Sequence, residues 1–120
     1  MNADSLLPPL STRANPLDFS LADRLPARPA GQGRLIVGAD PQDGRPGLLF
    51  VPGAYHGAWC YAHFLDYFAR AGLACAALDM RGHGALPQDA AFTSVAIADL
   101  GEDVLSALDA LAHPTIVVGH

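Results

Sequence analysis

Three short glycine-containing turns each follow an apolar run, and two of them contain a histidine. They are residues 52–54 (Pro-Gly-Ala), 81–84 (Arg-Gly-His-Gly) and 119–120 (Gly-His). Glycine lets a backbone turn sharply and bring its N–H groups close to a ligand. Backbone N–H donors stabilise oxyanions in enzymes, and imidazoles move protons. The pattern therefore indicates that these turns form part of the loops of an active site.

Five histidines could in principle act as catalytic bases: His56, His63, His83, His113 and His120. A catalytic triad needs a nucleophile and a base within about 3 Å, with an acid behind the base. Tyrosines 55 and 61 are the only hydroxyls near these turns, and both are poor nucleophiles. We therefore interpret the histidines as loop or surface imidazoles. Four residues remain candidates for lining a pocket: Tyr55, His56, His83 and His120.

Composition excludes several classes of partner. The net charge is −5, and the seven basic residues are scattered arginines, so neither nucleic acid nor an anionic membrane surface is an expected partner. Cys60 and Cys75 are too few for a disulfide framework and lack the spacing of a zinc site. The N-terminus does not resemble a signal peptide, and no apolar run approaches about 18 residues. We expect a cytoplasmic protein without metal or cofactor.

The N-terminal third lacks strong periodicity. Prolines in the first 16 residues indicate a loose leader, and we divide the chain into a flexible leader over 1–17 and a partial domain over 18–120. Residues 18–25 and 34–38 alternate in part and predict two antiparallel edge strands joined by a loop over 26–33. The turn formers of 40–47 predict another loop.

From residue 48 onward, short apolar runs alternate with helical spacing. Strands are predicted over 48–51, 73–78 and 115–118, and helices over 58–71 and 94–112. In the second helix, Thr93 or Ser94 is expected to cap the first turn and Pro114 to end the helix. The apolar face of that helix carries Ile97, Leu100, Val104, Leu108 and Leu111, and the opposite face carries Glu102, Asp103 and Asp109.

This alternation predicts an α/β fold, with a mostly parallel sheet and helices on both faces. Ligands of such sheets bind beyond the carboxyl ends of the strands, which is where all three glycine turns are expected. Asp79 and Arg81 are interpreted as bracing the turn in which they lie.

Four segments, taken in order, resemble the α/β-hydrolase superfamily over about 34–120. Residues 49–60 are similar to its oxyanion-loop strand, close to the H-G-x-x-H-G-A-W pattern of plant-type esterases and hydroxynitrile lyases. Residues 78–84 are similar to its D-x-R-G-H-G loop. Residues 99–104 resemble the helix before the nucleophile elbow, and 117–120 resemble the strand that leads into the elbow.

The resemblance implies the N-terminal half of an α/β-hydrolase fold, incomplete in this chain. It assigns an oxyanion contact to the N–H of Ala54, although Pro52 stands where many members have His. Without the other motifs, Pro52 would be taken simply as the end of a strand. The nucleophile would follow His120, and the acid and the catalytic His would come later. The resemblance therefore implies no catalytic residue within the chain and no activity of the chain alone.

Several chemistries share this arrangement. A serine after His120 implies ester or thioester hydrolysis, and an aspartate implies an epoxide hydrolase or dehalogenase. Hydroxynitrile lyases, haloperoxidases and acyltransferases have the same leading strand. We favour a serine carboxylic-ester hydrolase that acts on a small molecule once it is completed, because serine is the commonest nucleophile in the superfamily.

A noncatalytic assembly fragment is the competing hypothesis. Strand 115–118 is expected to be an exposed apolar edge, which is a template for self-association or aggregation. A Rossmann-type nucleotide binder is disfavoured, because no G-x-G-x-x-G opens the helix after the 48–51 strand.

Overall fold

The computed structural model describes residues 17–41 and 44–120. Residues 1–16, which form almost all of the predicted leader, lie outside the described part. Five strands are present: β1 (Ala27–Ala30), β2 (Gly33–Ala39), β3 (Gly47–Val51), β4 (Cys75–Asp79) and β5 (Thr115–Gly119). Two α-helices, α1 (Ala62–Arg70) and α2 (Ile97–Leu111), and three 3-10 segments, Phe19–Arg24, Ala58–Tyr61 and Ala90–Ser94, complete the elements.

The strands form one sheet in the order β1-β2-β4-β3-β5. Strands β4, β3 and β5 run parallel, whereas β1 pairs antiparallel with β2 and β2 antiparallel with β4. The predicted α/β class with a mostly parallel sheet is confirmed for the segment from β3 onward. Strand β5 occupies one end of the sheet order, next to β3 alone.

Alternate side chains of the central strands build two cores, one on each face of the sheet. Ile36, Phe50 and Ala77 pack with Leu65 of α1 on one face. On the other face, Leu35, Leu49 and Leu78 pack with α2 through Val104, Ala107 and Leu108. The successive residues of a strand point to opposite faces, so one apolar run serves both helices. The prediction of helices on both faces is confirmed.

The predicted strand over 18–25 is wrong. Residues Phe19–Arg24 form a 3-10 helix, because the Asp18 carboxylate accepts a hydrogen bond from the Ser20 N–H at 3.1 Å and caps the segment. Hydrogen bonds from the Ser20 hydroxyl and from the Ser20 N–H lower the pKa of Asp18. The outer strand of the hairpin is instead Ala27–Ala30, within the predicted loop. It tolerates Pro29 because β1 lies at the edge of the sheet.

Helix α2 begins later than predicted, and neither Thr93 nor Ser94 caps it. Those residues end the 3-10 segment Ala90–Ser94, which is capped by the Asp89 side chain. The first turn of α2 is fixed by Asp99, whose carboxylate accepts from the Ala96 N–H at 2.8 Å. The helix ends at Leu111, before Pro114 as predicted.

The assignment of faces on α2 is wrong at two positions. Asp103, expected on the solvent face, is fully buried, and Ile97, expected on the apolar face, is 83% exposed. Leu100, Val104, Leu108 and Leu111 pack against the core as predicted. The exposed edge predicted for 115–118 is confirmed, with Ile116, Val117 and Val118 between 38% and 53% exposed.

Candidate functional site

A tight turn follows β3, and the backbone N–H of Ala54 in this turn has no acceptor in the described chain. The His56 N–H donates to the Gly53 carbonyl oxygen at 3.2 Å, which closes a turn over 53–56. Tyr55, the third residue of this turn, has φ +66, as a type II turn requires. The N–H of Ala54 lies outside the closing bond, and within the described chain it donates to no acceptor. Ala54 is exposed, so this N–H can donate to a bound group.

The carboxyl end of β5 lies beside this turn. In the parallel register, Gly119 is opposite Val51, and the His120 N–H donates to the Val51 carbonyl oxygen at 3.2 Å. A Cβ placed on Gly53 would lie 3.1 Å from the His120 carbonyl oxygen. The structure thus brings His120 against Gly53, the residue before Ala54, at one end of the sheet.

Tyr55 and His56 form the outer surface of the same turn. Tyr55 is 95% exposed. The His56 Nδ1 is 3.0 Å from the Ala54 carbonyl oxygen, to which an Nδ1–H would donate. Its ring packs near Trp59 at 6.1 Å. Both residues directly follow Ala54 in the turn, and a pocket-lining role for them stays a prediction.

His83 contacts a different part of the molecule. Its Nδ1 is 3.0 Å from the Arg81 carbonyl oxygen, and its ring packs edge-on against Phe92 at 5.9 Å. A neighbouring open cavity of about 360 Å³ is lined by Arg81, Gly82 and Phe92, among others, and by none of the four predicted pocket residues. The structure does not bring His83 into contact with the turn at Ala54.

Asp79 joins the loop after β3 to the loop after β4. Its side chain is about 2% exposed and forms an ion pair with Arg34 at 3.0 Å. Its Oδ1 accepts from the Ala58 N–H at 2.7 Å, and its Oδ2 accepts from the Ala85 N–H at 3.3 Å. The interpretation that Asp79 braces its own turn is therefore right but incomplete, because the same carboxylate also holds the loop after β3.

Arg81 braces helix α2 through Asp103. Its Nη2 lies 2.7 Å from Asp103 Oδ1, and its backbone N–H donates to Asp103 Oδ2 at 2.8 Å. Hydrogen bonding to Asp103 raises the pKa of Arg81, so the guanidinium stays protonated. Sequence reasoning missed this role. Asp103 lies three residues after Leu100 and four before Ala107, so helical spacing alone places it on the buried stripe.

Two clusters contain both a hydroxyl and a histidine, and neither forms a triad. Thr115 Oγ1 lies 3.4 Å from His113 Nδ1, but at the start of β5, opposite the glycine turns. The Ser20 hydroxyl donates to the Asp18 carboxylate. The nearby His63 Nε2 accepts from the Asp18 N–H and not from this hydroxyl. Residues 17–41 and 44–120 therefore contain no assembled nucleophile, base and acid.

Metal-binding clusters and membrane-spanning helices are both absent from the described residues. No group of three or more His, Cys, Asp or Glu side chains is arranged to hold a metal ion in the described part. None of its helices is long and apolar enough to cross a membrane.

The family model described as the alpha/beta hydrolase family matches residues 48–120, which is more than half of the chain. The matched segment begins at β3 and contains both the Ala54 turn and the end of β5. No curated protein matches the chain.

Proposed function

The chain belongs to the alpha/beta hydrolase family, and from this we propose that it forms the N-terminal part of a serine carboxylic-ester hydrolase. One observation supports this most directly: the free N–H of Ala54 lies beside the carboxyl end of β5, where His120 follows Gly119. A nucleophile after His120 would stand next to a donor able to stabilise the oxyanion it creates. Ester hydrolysis is preferred because serine is the commonest nucleophile in the superfamily.

The proposed reaction divides the work between this chain and residues after His120. A serine hydroxyl there would attack the ester carbonyl and give its proton to a histidine base. The Ala54 N–H would then stabilise the tetrahedral oxyanion, a contact worth about 3 kcal/mol in the transition state. The N–H of the residue after the nucleophile would be the second donor. Tyr55 and His56 would line the approach for a small ester, with no metal or cofactor.

The test is to read the coding sequence after the His120 codon and to assay two proteins, the 120-residue chain and the chain extended to the next stop codon. We expect Ser-x-Gly after His120, labelling of the extended protein by a fluorophosphonate, and hydrolysis of a p-nitrophenyl ester. The 120-residue chain should show no turnover above background, because loss of a triad costs on the order of a million-fold in turnover. Repurification of the chain excludes a contaminating esterase.

Each other outcome has a definite meaning. Asp-x-Gly after His120 would replace the proposal with epoxide hydrolase or dehalogenase chemistry. If the serine is labelled but the extended protein releases cyanide from a cyanohydrin and does not hydrolyse the ester, the protein would be a hydroxynitrile lyase. Unrelated sequence, or turnover by the short chain itself, would overturn the proposal.

A second candidate function, assembly without chemistry, is favoured by the exposed edge strand. Strand β5 has a paired neighbour on one side only, and its apolar residues Ile116, Val117 and Val118 are all exposed. No charged residue interrupts Thr115–Gly119, and uncharged apolar edges pair readily with other strands. We propose that the 120-residue chain self-associates through β5.

Val117→Lys is expected to shift the 120-residue chain from oligomers towards monomer. A lysine on an edge strand opposes strand pairing because its charge would be buried in the new sheet. Sedimentation velocity over a tenfold range of concentration measures the change. Ile97→Lys is the matched control, because Ile97 is 83% exposed and lies on α2, away from the edge. Equal loss of association in both variants, or a monomeric parent chain, would contradict a β5 interface.

The cysteines support the proposed cytoplasmic location. Both Cys60 and Cys75 are free thiols. Burial raises the pKa of Cys75 to about 11, so its thiol stays protonated at neutral pH and is poorly reactive. A protein with two unpaired thiols suits a reducing compartment.

A further inference from the structure

Asp79 is a buried carboxylate held by three separate parts of the chain. Arg34 reaches it from β2, the Ala85 N–H from its own loop, and the Ala58 N–H from the segment after β3. The Ala58 contact is the shortest of the three, at 2.7 Å, and Ala58 itself is fully buried. Hydrogen bonds to an ionised acceptor are stronger than neutral ones, so this contact is a firm attachment point for the loop after β3.

That loop needs an attachment point because its turn is strained. Tyr55 adopts φ +66, a left-handed conformation that is unfavourable for a residue with a Cβ. Residues held in such conformations persist when surrounding contacts fix them. The Asp79 contact at Ala58 lies three residues after Tyr55.

Close backbone packing adds to the same connection. Gly57 lies against Gly84, and a Cβ on Gly57 would come within 2.7 Å of Asp79 Oδ1. Gly84 has φ +60, and a Cβ there would overlap the Asp79 carboxylate. The absence of side chains at these two positions lets the carboxylate reach both loops at once. Arg34 forms an ion pair with the Asp79 carboxylate. The carboxylate therefore does not place an unpaired negative charge beside the proposed oxyanion site.

We propose that Asp79 is the positioning residue of the oxyanion loop, residues 52–58. Its carboxylate fixes the Ala58 amide and thereby sets the direction of the Ala54 N–H. The assignment of an oxyanion to that N–H rests on the proposed function, but the link from Asp79 to the loop does not depend on the nucleophile.

The test uses the 15N-labelled 120-residue chain, with residue-resolved hydrogen exchange and amide proton shifts as readouts. In the parent chain, the Ala58 amide should exchange at least about tenfold more slowly than an unprotected amide and should resonate downfield. Asp79→Ala should speed exchange of the Ala58 amide by about ten- to a hundredfold and move the Ala54 resonance, although Ala54 does not touch Asp79. Asp79→Asn keeps one acceptor oxygen and should give an intermediate result.

Asp103→Ala is the matched control, because it removes another fully buried carboxylate, one that lies on helix α2 and contacts Arg81. After correction for global stability, it should leave the exchange of Ala58 and the shift of Ala54 unchanged. If Asp79→Ala does not fold, the parent chain and Asp79→Asn still decide the question. An unprotected Ala58 amide in the parent chain, or equal changes at Ala54 in the Asp79 and Asp103 variants, would overturn the proposal.

Discussion

Asp103→Ala is expected to lower the free energy of unfolding by about 3 kcal/mol. The fully buried Asp103 carboxylate accepts from the Arg81 backbone N–H at 2.8 Å and from the Arg81 guanidinium at 2.7 Å. Its removal leaves a backbone donor unpaired and a largely covered cation, 25% exposed, without its main partner. Breaking such a pair is strongly destabilising because one uncompensated charge stays in the protein.

Chemical denaturation followed by circular dichroism measures this loss, and the neighbouring residue provides the control. Glu102 also approaches Arg81, but at 3.8 Å and with its side chain 70% exposed. Exposed pairs of this kind contribute less than about 1 kcal/mol, so Glu102→Gln should be nearly neutral. Similar losses in the two variants would show that Arg81 is held by general electrostatic attraction and not by the buried carboxylate.

The sheet and its two covering helices could be predicted from the sequence because apolar periodicity is strong after residue 47. Buried strands such as Leu48–Val51 are short apolar runs stopped by Pro-Gly, and α1 and α2 repeat apolar residues at helical spacing. The N-terminal region could not be placed correctly, because its short segments have weak periodicity. There, the local hydrogen bond from Ser20 to Asp18 decided the conformation of Phe19–Arg24.

The sequence was sufficient to predict which loops form the candidate site. Glycine turns at the carboxyl ends of parallel strands indicated that Ala54 and His120 would meet, and the register of β3 with β5 brings them together. The contacts of Asp79 with Ala58 and of Asp103 with Arg81 could not be predicted, because these partners lie 21 and 22 positions away along the chain. A buried carboxylate becomes recognisable only when the fold shows which donors face it.

Gly84→Ala is expected to be the other severe substitution, lowering the free energy of unfolding by about 4 kcal/mol. Gly84 has φ +60, and a Cβ there would overlap the Asp79 carboxylate, which is about 2% exposed. The carboxylate would have to move away from the Ala58 N–H, which would lose its hydrogen bond. The substitution therefore combines backbone strain with overpacking of a buried hydrogen-bonded group, and it separates the loop after β4 from the loop after β3.

Gly72→Ala isolates the backbone part of that effect. Gly72 has a similar conformation, φ +80, but a Cβ there would meet no atom within 4 Å. Its substitution should cost only the left-handed strain of about 1 kcal/mol. The difference between the two variants, measured as free energies of unfolding in urea, is then the energy of displacing Asp79. Equal losses would show that the Asp79 carboxylate has room to move and that the two loops are not rigidly joined through it.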